Sequence, residues 1–405
     1  MPETEDAATI IDWLIATGRD KDDLGEMLAG LCERLAARGV PLWRVMLGMP
    51  AVDPTAAVFN WHWWRDAELV ARAIAPGAAL GEAFRQSPIY YVRERNLEGG
   101  RWRLDDPAVV AQFPLFAELR AAGATEYALR IVSFSERRTA LEGIVLSMAT
   151  DRPGGFTDAE LALVVAVVPA LSLAAYRMGL LQVATGTLGA YLGRATGGRV
   201  LQGMIRRGET ESMRAALLLA DLRNFTGVSE SAESADVVRW LNRHLEAIGD
   251  PVAERGGEVL KFLGDGLLAV FPVAGGDPAT ACSAALGAAR DAAERTAAVN
   301  RQRAAAGEPT LALALVLQFG EVSYGNIGTA GRLDFTVIGR AVNEASRLET
   351  LGKALGRPMV LSQGFAAHCG APVVSLGRHA LRGVAEPQEV FALAEPGAAP
   401  DGAAR

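Results

Sequence analysis

The run GGEVLKFLGDGLLAVF, residues 256–271, constrains this chain more than any other stretch. Two apolar segments flank Gly264-Asp265-Gly266, and an Asp-Gly step between apolar runs marks a tight hairpin turn. The hairpin reads as buried, yet it carries Asp265 at its tip and Lys261 inside its first segment. Charges in such a setting need a partner or a task.

The neighbouring residues supply the rest of a layered unit. Ala215–Ala220, AALLLA, is an unbroken apolar run that ends at Asp221, as expected of a strand buried on both faces. Residues 234–254 carry helical periodicity, with Val237, Leu241, Leu245, Ile248 and Val252 on one face, and Gly256-Gly257 ends the helix. An Ala-rich helix over about 279–304 follows, then the strand LALALVLQFG (311–320), the segment SYGNIGTAGRLDFTVIG and the helix AVNEASRLETLG. Strand, helix, hairpin, helix, strand is a two-layer α/β arrangement.

The chain has 405 residues, room for more than one core. Its first half reads as helices over 6–17 and 20–38, strands at WRVMLGM (43–49), AVFNWHWW (57–64), EYALRIVSF (126–134) and GIVLSMAT (143–150), then PGGFTDAELALV leading into a long helix. The element order and GFTDAELALV resemble a GAF-type sensor domain: a small antiparallel sheet with helices on one face and a ligand pocket on the other. A PAS-like sensor or a ligand-free dimerisation domain has a similar order. The sequence expectation is an α/β (α+β) protein with a GAF-like domain at 1–185, a helical linker at 186–213, a catalytic unit at 214–393 and a disordered tail at 394–405.

A net charge of −7 argues against a nucleic-acid surface, since Arg206-Arg207 is a pair rather than a patch. Cys32, Cys282 and Cys369 lack metal-ligand spacing and fit a reducing compartment, and the acidic N-terminus lacks a secretory signal, so a cytoplasmic protein is expected. LALVVAVVPALSLAAY, residues 161–176, is uncharged for 16 residues. That is shorter than the ~20 a bilayer needs and Pro169 interrupts it, so no membrane span is expected, but a buried or dimer-interface helix. His62, His244, His368 and His379 show no ligand spacing; His62, in NWHWW, reads either as a haem ligand or as a structurally satisfied histidine.

Asp221 and Asp265 would end neighbouring strands. Two such carboxylates repel and are costly to desolvate without a cation, which a divalent ion supplies. Taken singly, Asp221 also suits a helix N-cap and Asp265 an Asp-Gly turn.

The pieces ADLRNFTG (220–227), GGEVLKFLGDGLLAVF, FGEVSYGNIG (319–328) and LDFTVIGRAVNEASRLE (333–349) together resemble the catalytic domain of class III nucleotidyl cyclases, a ferredoxin-like, palm-type fold. The resemblance implies ATP as substrate, 3′,5′-cyclic AMP and pyrophosphate as products, and two Mg²⁺ (or Mn²⁺) ions held by Asp221 and Asp265. Lys261 and Thr336 match the purine-reading positions. A lysine only donates, which suits the adenine N1 acceptor and opposes the N1–H of guanine. Threonine at 336 marks a subgroup often responsive to bicarbonate. Asn343 and Arg347, one helical turn apart, match the residues that orient the ribose and stabilise the transition state, and Arg382 matches a triphosphate contact. The family builds each site from two chains, so a head-to-tail homodimer is implied. A guanylyl or promiscuous purine cyclase, and a silent nucleotide-binding regulator, remain alternatives. Gly256-Gly257-Glu258 also begins like the diguanylate cyclase signature, but precedes a strand instead of forming the turn.

Overall fold

The structure is a computed structural model that describes residues 2–50, 56–74, 81–134, 141–230, 232–273 and 275–394. It divides into two compact units, Met1–Ala190 and Tyr191–Arg405. The expected disordered tail lies outside the described residues, apart from Ala394.

The first unit runs α1 (Pro2–Asp20), α2 (Leu24–Ala37), β1 (Arg44–Pro50), β2 (Val58–Trp64), β3 (Ala67–Ile74), α3 (Glu82–Arg85), α4 (Pro88–Glu94), β4 (Gly99–Arg103), α5 (Pro107–Val110), α6 (Pro114–Ala121), β5 (Glu126–Ser133), β6 (Gly143–Thr150) and α7 (Asp158–Leu192). Its strands form one antiparallel sheet in the order β3-β2-β1-β6-β5-β4. Alternation along β1 and β6 divides the core. Val45, Leu47, Ile144 and Leu146 face a cluster with Leu28, Leu31, Val167 and Leu171 of the long helices. Met46, Val145 and Ala149 face a second cluster with Val92, Phe113, Phe116 and Tyr127.

Helices are therefore not confined to one face, as the sequence reading expected. The opposite face is filled by an aromatic cluster in which Trp102, Phe113, Phe116 and Tyr127 meet at centroid separations of 5.0–6.2 Å. Two of these ring pairs pack edge-on and three are tilted. The unit also holds a cavity of about 750 Å³, lined by residues that include Arg93, Asn96, Arg130, Ile131, Glu142 and Val145.

α7 also departs from expectation. It continues past Arg177 to Leu192, long and apolar enough by length and composition to cross a membrane. The argument from shortness therefore fails, because Pro169 is accommodated inside the helix. One face of it is core: Val164, Val167, Leu171 and Ala175 are buried, and Arg177 Nε donates to the Gly18 carbonyl at 2.6 Å.

The second unit runs α8 (Arg194–Leu201), β7 (Thr210–Arg223), α9 (Phe225–Ser229), α10 (Ser234–Glu254), β8 (Glu258–Leu263), β9 (Gly266–Pro272), α11 (Pro278–Ala305), β10 (Ala312–Gly328), β11 (Leu333–Ile338), α12 (Arg340–Ala354), β12 (Met359–Ser362), α13 (Gln363–Ala366), β13 (Val373–His379) and β14 (Gln388–Leu393). The sheet order is β13-β14-β12-β10-β7-β9-β8, with β11 paired to the far end of β10. Within it β10-β7-β9-β8, joined through α10 and α11, is the ferredoxin-like antiparallel order.

β7 sits inside this sheet, and its apolar run splits by parity. Ala216, Leu218 and Ala220 pack under α10 and α11, while Ala215, Leu217 and Leu219 pack in the cluster that includes Ala341, Ala345 and Leu348 of α12. The α11 contribution is mostly methyl groups, from Ala281, Ala285, Ala288, Ala289 and Ala292. The segment expected as a linker is partly structured into this unit, because α8 docks there and β7 starts at Thr210. Glu258 accepts from the Thr196 backbone N–H at 2.9 Å and from the Tyr324 hydroxyl at 3.1 Å. Gly256-Gly257-Glu258 is thus a helix exit and a buttress, with Gly256 at φ +76.

His62 has structural partners: Nδ1 lies 3.3 Å from Arg44 Nη2, and the ring stacks on Trp64 at 5.6 Å. Burial first, then the Arg44 and Arg72 charges, push the imidazole from 6.5 down to about 4. A depressed folded pKa means this site contributes stability above about 6.5 that is lost as pH falls through about 4. Urea unfolding of His62→Gln should therefore lose less stability between pH 7 and pH 4 than the parent; an equal loss would contradict this origin.

Candidate active site

The turn between β8 and β9 brings two carboxylates together. Gly264 adopts φ +67, which a residue with a Cβ takes only under strain, and a Cβ on Gly266 would lie 2.3 Å from the Ala220 carbonyl oxygen. The two glycines thus let the hairpin close with its tip against the end of β7, where Ala220 pairs with Leu267. Asp221 lies near the end of β7 and Asp265 sits at the tip. Both line a cavity of about 390 Å³ walled by the β7–α9 turn, in which Asn224 takes φ 64.

Two acids and a lysine share this cavity. Burial first, and the Asp221 charge besides, raise the Asp265 carboxyl above its ordinary value, against the pull of its own backbone N–H and of Lys353. Lys353 Nζ stands 2.6 Å from Asp221 Oδ2 and 2.7 Å from Glu349 Oε1. Its hydrogen bonds to Asp221 and then Glu349 raise the ammonium in turn.

Among the described residues no three of His, Cys, Asp and Glu group as a ready-made metal cage. The donor set is two carboxylate side chains with no thiol or imidazole, which fits a hard divalent cation whose remaining ligands come from water and substrate phosphates.

Asn343 and Arg347 lie one turn apart on α12 and line a second cavity of about 570 Å³, shared with Ser346, Thr350 and Arg382. Lys261, on β8, donates to Asp334 at 2.7 Å. Thr336 on β11 is 5% exposed, and its hydroxyl oxygen is buried with no hydrogen-bond partner. The structure therefore places Asp221 with Asp265 in one cavity and Asn343 with Arg347 and Arg382 in another, while Lys261 and Thr336 line neither.

Sequence reasoning missed Lys353, Glu349 and Asp334. The Glu349–Lys353 spacing of four on a helix was a readable local signal. The reach of Lys353 to Asp221 was not, because tertiary packing alone brings α12 to the end of β7.

The family profile described as "Adenylate and Guanylate cyclase catalytic domain" matches residues 209–363, which hold both aspartates, Lys261, Thr336, Asn343 and Arg347. Residues 209–363 are a class III adenylyl/guanylyl cyclase catalytic domain. The chain is 30% identical over 168 residues to an adenylate cyclase of Anabaena cylindrica, covering 42% of this chain and 33% of that one. It is 32% identical over 155 residues to adenylate cyclase 1 of Rhizobium meliloti (strain 1021), covering 38% of this chain and 23% of that one. The chain thus spans a third or less of the length of these curated relatives. Among solved structures, the adenylyl cyclase CyaB of P. aeruginosa aligns with 24% identity and TM-score 0.43 over 46% of this chain and 97% of that one. The guanylyl cyclase Cya2 aligns with 26% identity and TM-score 0.41 over 46% and 96%.

The close approach at Gly266 is open to test. Gly266→Ala should lower stability by about 1–3 kcal/mol in chemical denaturation, because strand backbones must separate to admit the methyl group. Gly198→Ala, in open space within α8, should raise it slightly. Equal effects at the two positions would refute the packing argument.

Proposed function

We propose that this chain is an adenylyl cyclase that converts ATP to 3′,5′-cyclic AMP and pyrophosphate by in-line attack of the ribose 3′-OH, under control of its N-terminal unit. The observation that carries this reading is the meeting of Asp221 and Asp265 at one cavity inside a cyclase catalytic domain. Two Mg²⁺ or Mn²⁺ ions, when bound by these carboxylates, lower the pKa of the 3′-OH and neutralise the triphosphate.

The protein's own groups do the rest. Lys261 donates to adenine N1 once it leaves Asp334, and the Thr336 hydroxyl, buried here without a partner, accepts from the N6 amine once nucleotide binding uncovers it. Asn343 orients the ribose. Arg347 stays charged at any working pH and hydrogen-bonds the α-phosphate oxygens as charge develops there, with Arg382 on the triphosphate. The separation of the Asp and Asn/Arg cavities within one chain supports a head-to-tail homodimer in which each site takes one cavity from each protomer.

The second reading is a promiscuous purine cyclase. Asp334, 2.7 Å from Lys261, offers a carboxylate that would accept from guanine N1–H and the 2-amino group. The N-terminal unit is read as a GAF-like sensor for a ligand not yet identified. Bicarbonate is a candidate activator on the strength of Thr336 alone. Buried, unpaired Cys32, Cys282 and Cys369 accord with a reducing, cytoplasmic setting.

Purified full-length chain with Mn²⁺ should form cyclic AMP from ATP faster than cyclic GMP from GTP; equal rates would favour the promiscuous reading, and no product from either nucleotide would refute a cyclase. Asp265→Ala should cut turnover by about a hundredfold or more with the fold intact by circular dichroism. Retention of a tenth would contradict the metal role. An equal mixture of Asp265→Ala and Arg347→Ala chains should recover up to about a quarter of parental activity, since half the dimers hold one whole site. No recovery despite proven heterodimers would refute shared sites.

A further inference from the structure

The cavity at the end of β7 already holds a cation of the chain's own. The Lys353 ammonium touches Asp221 Oδ2 at 2.6 Å and Glu349 Oε1 at 2.7 Å, so it bridges one acid from β7 and one from its own helix. Asp265, across the same cavity, has no ammonium of its own: no salt bridge to it is present among the described residues. The cavity is thus unevenly neutralised.

An ammonium hydrogen atom on Asp221 Oδ2 takes one lone pair that a divalent cation would use, and two cations in contact with one carboxylate oxygen repel. A carboxylate keeps further lone pairs on Oδ1 and Oδ2, so the two cations compete at Asp221 through their mutual repulsion. The Lys353 side chain is 44% exposed, which leaves it water and room to withdraw. Glu349, one turn earlier on α12, remains its partner when it does.

The geometry points to Lys353 as a built-in counter-ion that sets the divalent-cation affinity of the Asp221–Asp265 pair, with Glu349 as the acid that retains the ammonium once a metal ion takes Asp221. Binding is an exchange: the Nζ–Oδ2 contact breaks, the Nζ–Oε1 contact persists, and no proton need leave. This inference rests on the metal role proposed above for the two aspartates. Lys353 is a positioning residue in this account, acting on the cavity and not on the nucleotide.

The test is direct Mn²⁺ binding to the full-length chain without nucleotide, read from the free-Mn²⁺ electron paramagnetic resonance signal. Lys353→Met should tighten Mn²⁺ binding about fivefold, the scale of a half-exposed ion pair, while Lys353→Arg, which keeps the charge, should stay within about twofold of the parent. Glu349→Gln should weaken binding about threefold in the parent and leave Lys353→Met unchanged, because its effect passes through the ammonium. Asp265→Asn should cost about tenfold or more in every background. If Asp265→Asn has this effect but Lys353→Met does not tighten binding, the counter-ion role falls and the metal reading stands. An equal Glu349→Gln loss in both backgrounds would make Glu349 a ligand and overturn its retaining role. Mn²⁺ binding untouched by Asp265→Asn would sink the metal reading, and this inference with it.

Discussion

Everything in the second unit turns on two carboxylates that cannot move apart. Asp221 is anchored by a strand buried on both faces, and Asp265 by a turn whose backbone lies against the Ala220 carbonyl. Burial, and the Asp221 charge besides, then raise the Asp265 carboxyl. A fold that fixes such a pair must supply a cation or admit one. α12 supplies one: its C-terminal end carries Lys353 into the aspartate cavity, while its earlier turns carry Asn343 and Arg347 into the other.

The parts of the fold that were legible in the sequence are those with one dominant local signal. The unbroken run Ala215–Ala220 reads as a strand covered on both sides, and the glycines around Asp265 read as a hairpin. Val237, Leu241, Ile248 and Val252 read as the inner face of α10. β3 and β4 escaped because they are the two edge strands of their sheet and lack a strong alternating pattern, β3 being largely exposed and β4 a short, half-buried strand that opens on two glycines. The far half of β10 escaped because Gly320, Gly325 and Gly328 interrupt its pattern, while pairing with β11 and β7 holds it extended.

The candidate site divides in the same way. Residues embedded in quotable motifs, such as Asp221, Lys261, Thr336, Asn343 and Arg347, could be named from the sequence. Their partners could not. Lys353 reaches Asp221, and Lys261 reaches Asp334, only because distant segments pack together, and no periodicity encodes such a pairing. The aromatic filling of the first unit's second face was equally hidden, since Trp102, Phe113 and Tyr127 come from separate elements.

The alanine bed of α11 beneath β7 has a further consequence. Side chains that stop at Cβ surrender no rotamer freedom on burial and have no alternative rotamers to adopt afterwards. The support that these alanines give β7 is therefore set by backbone position. Thermal motion in that layer can shift the helix as a body but cannot repack it piecemeal, so the end of β7 rests on something closer to a solid floor than to an adaptable liquid.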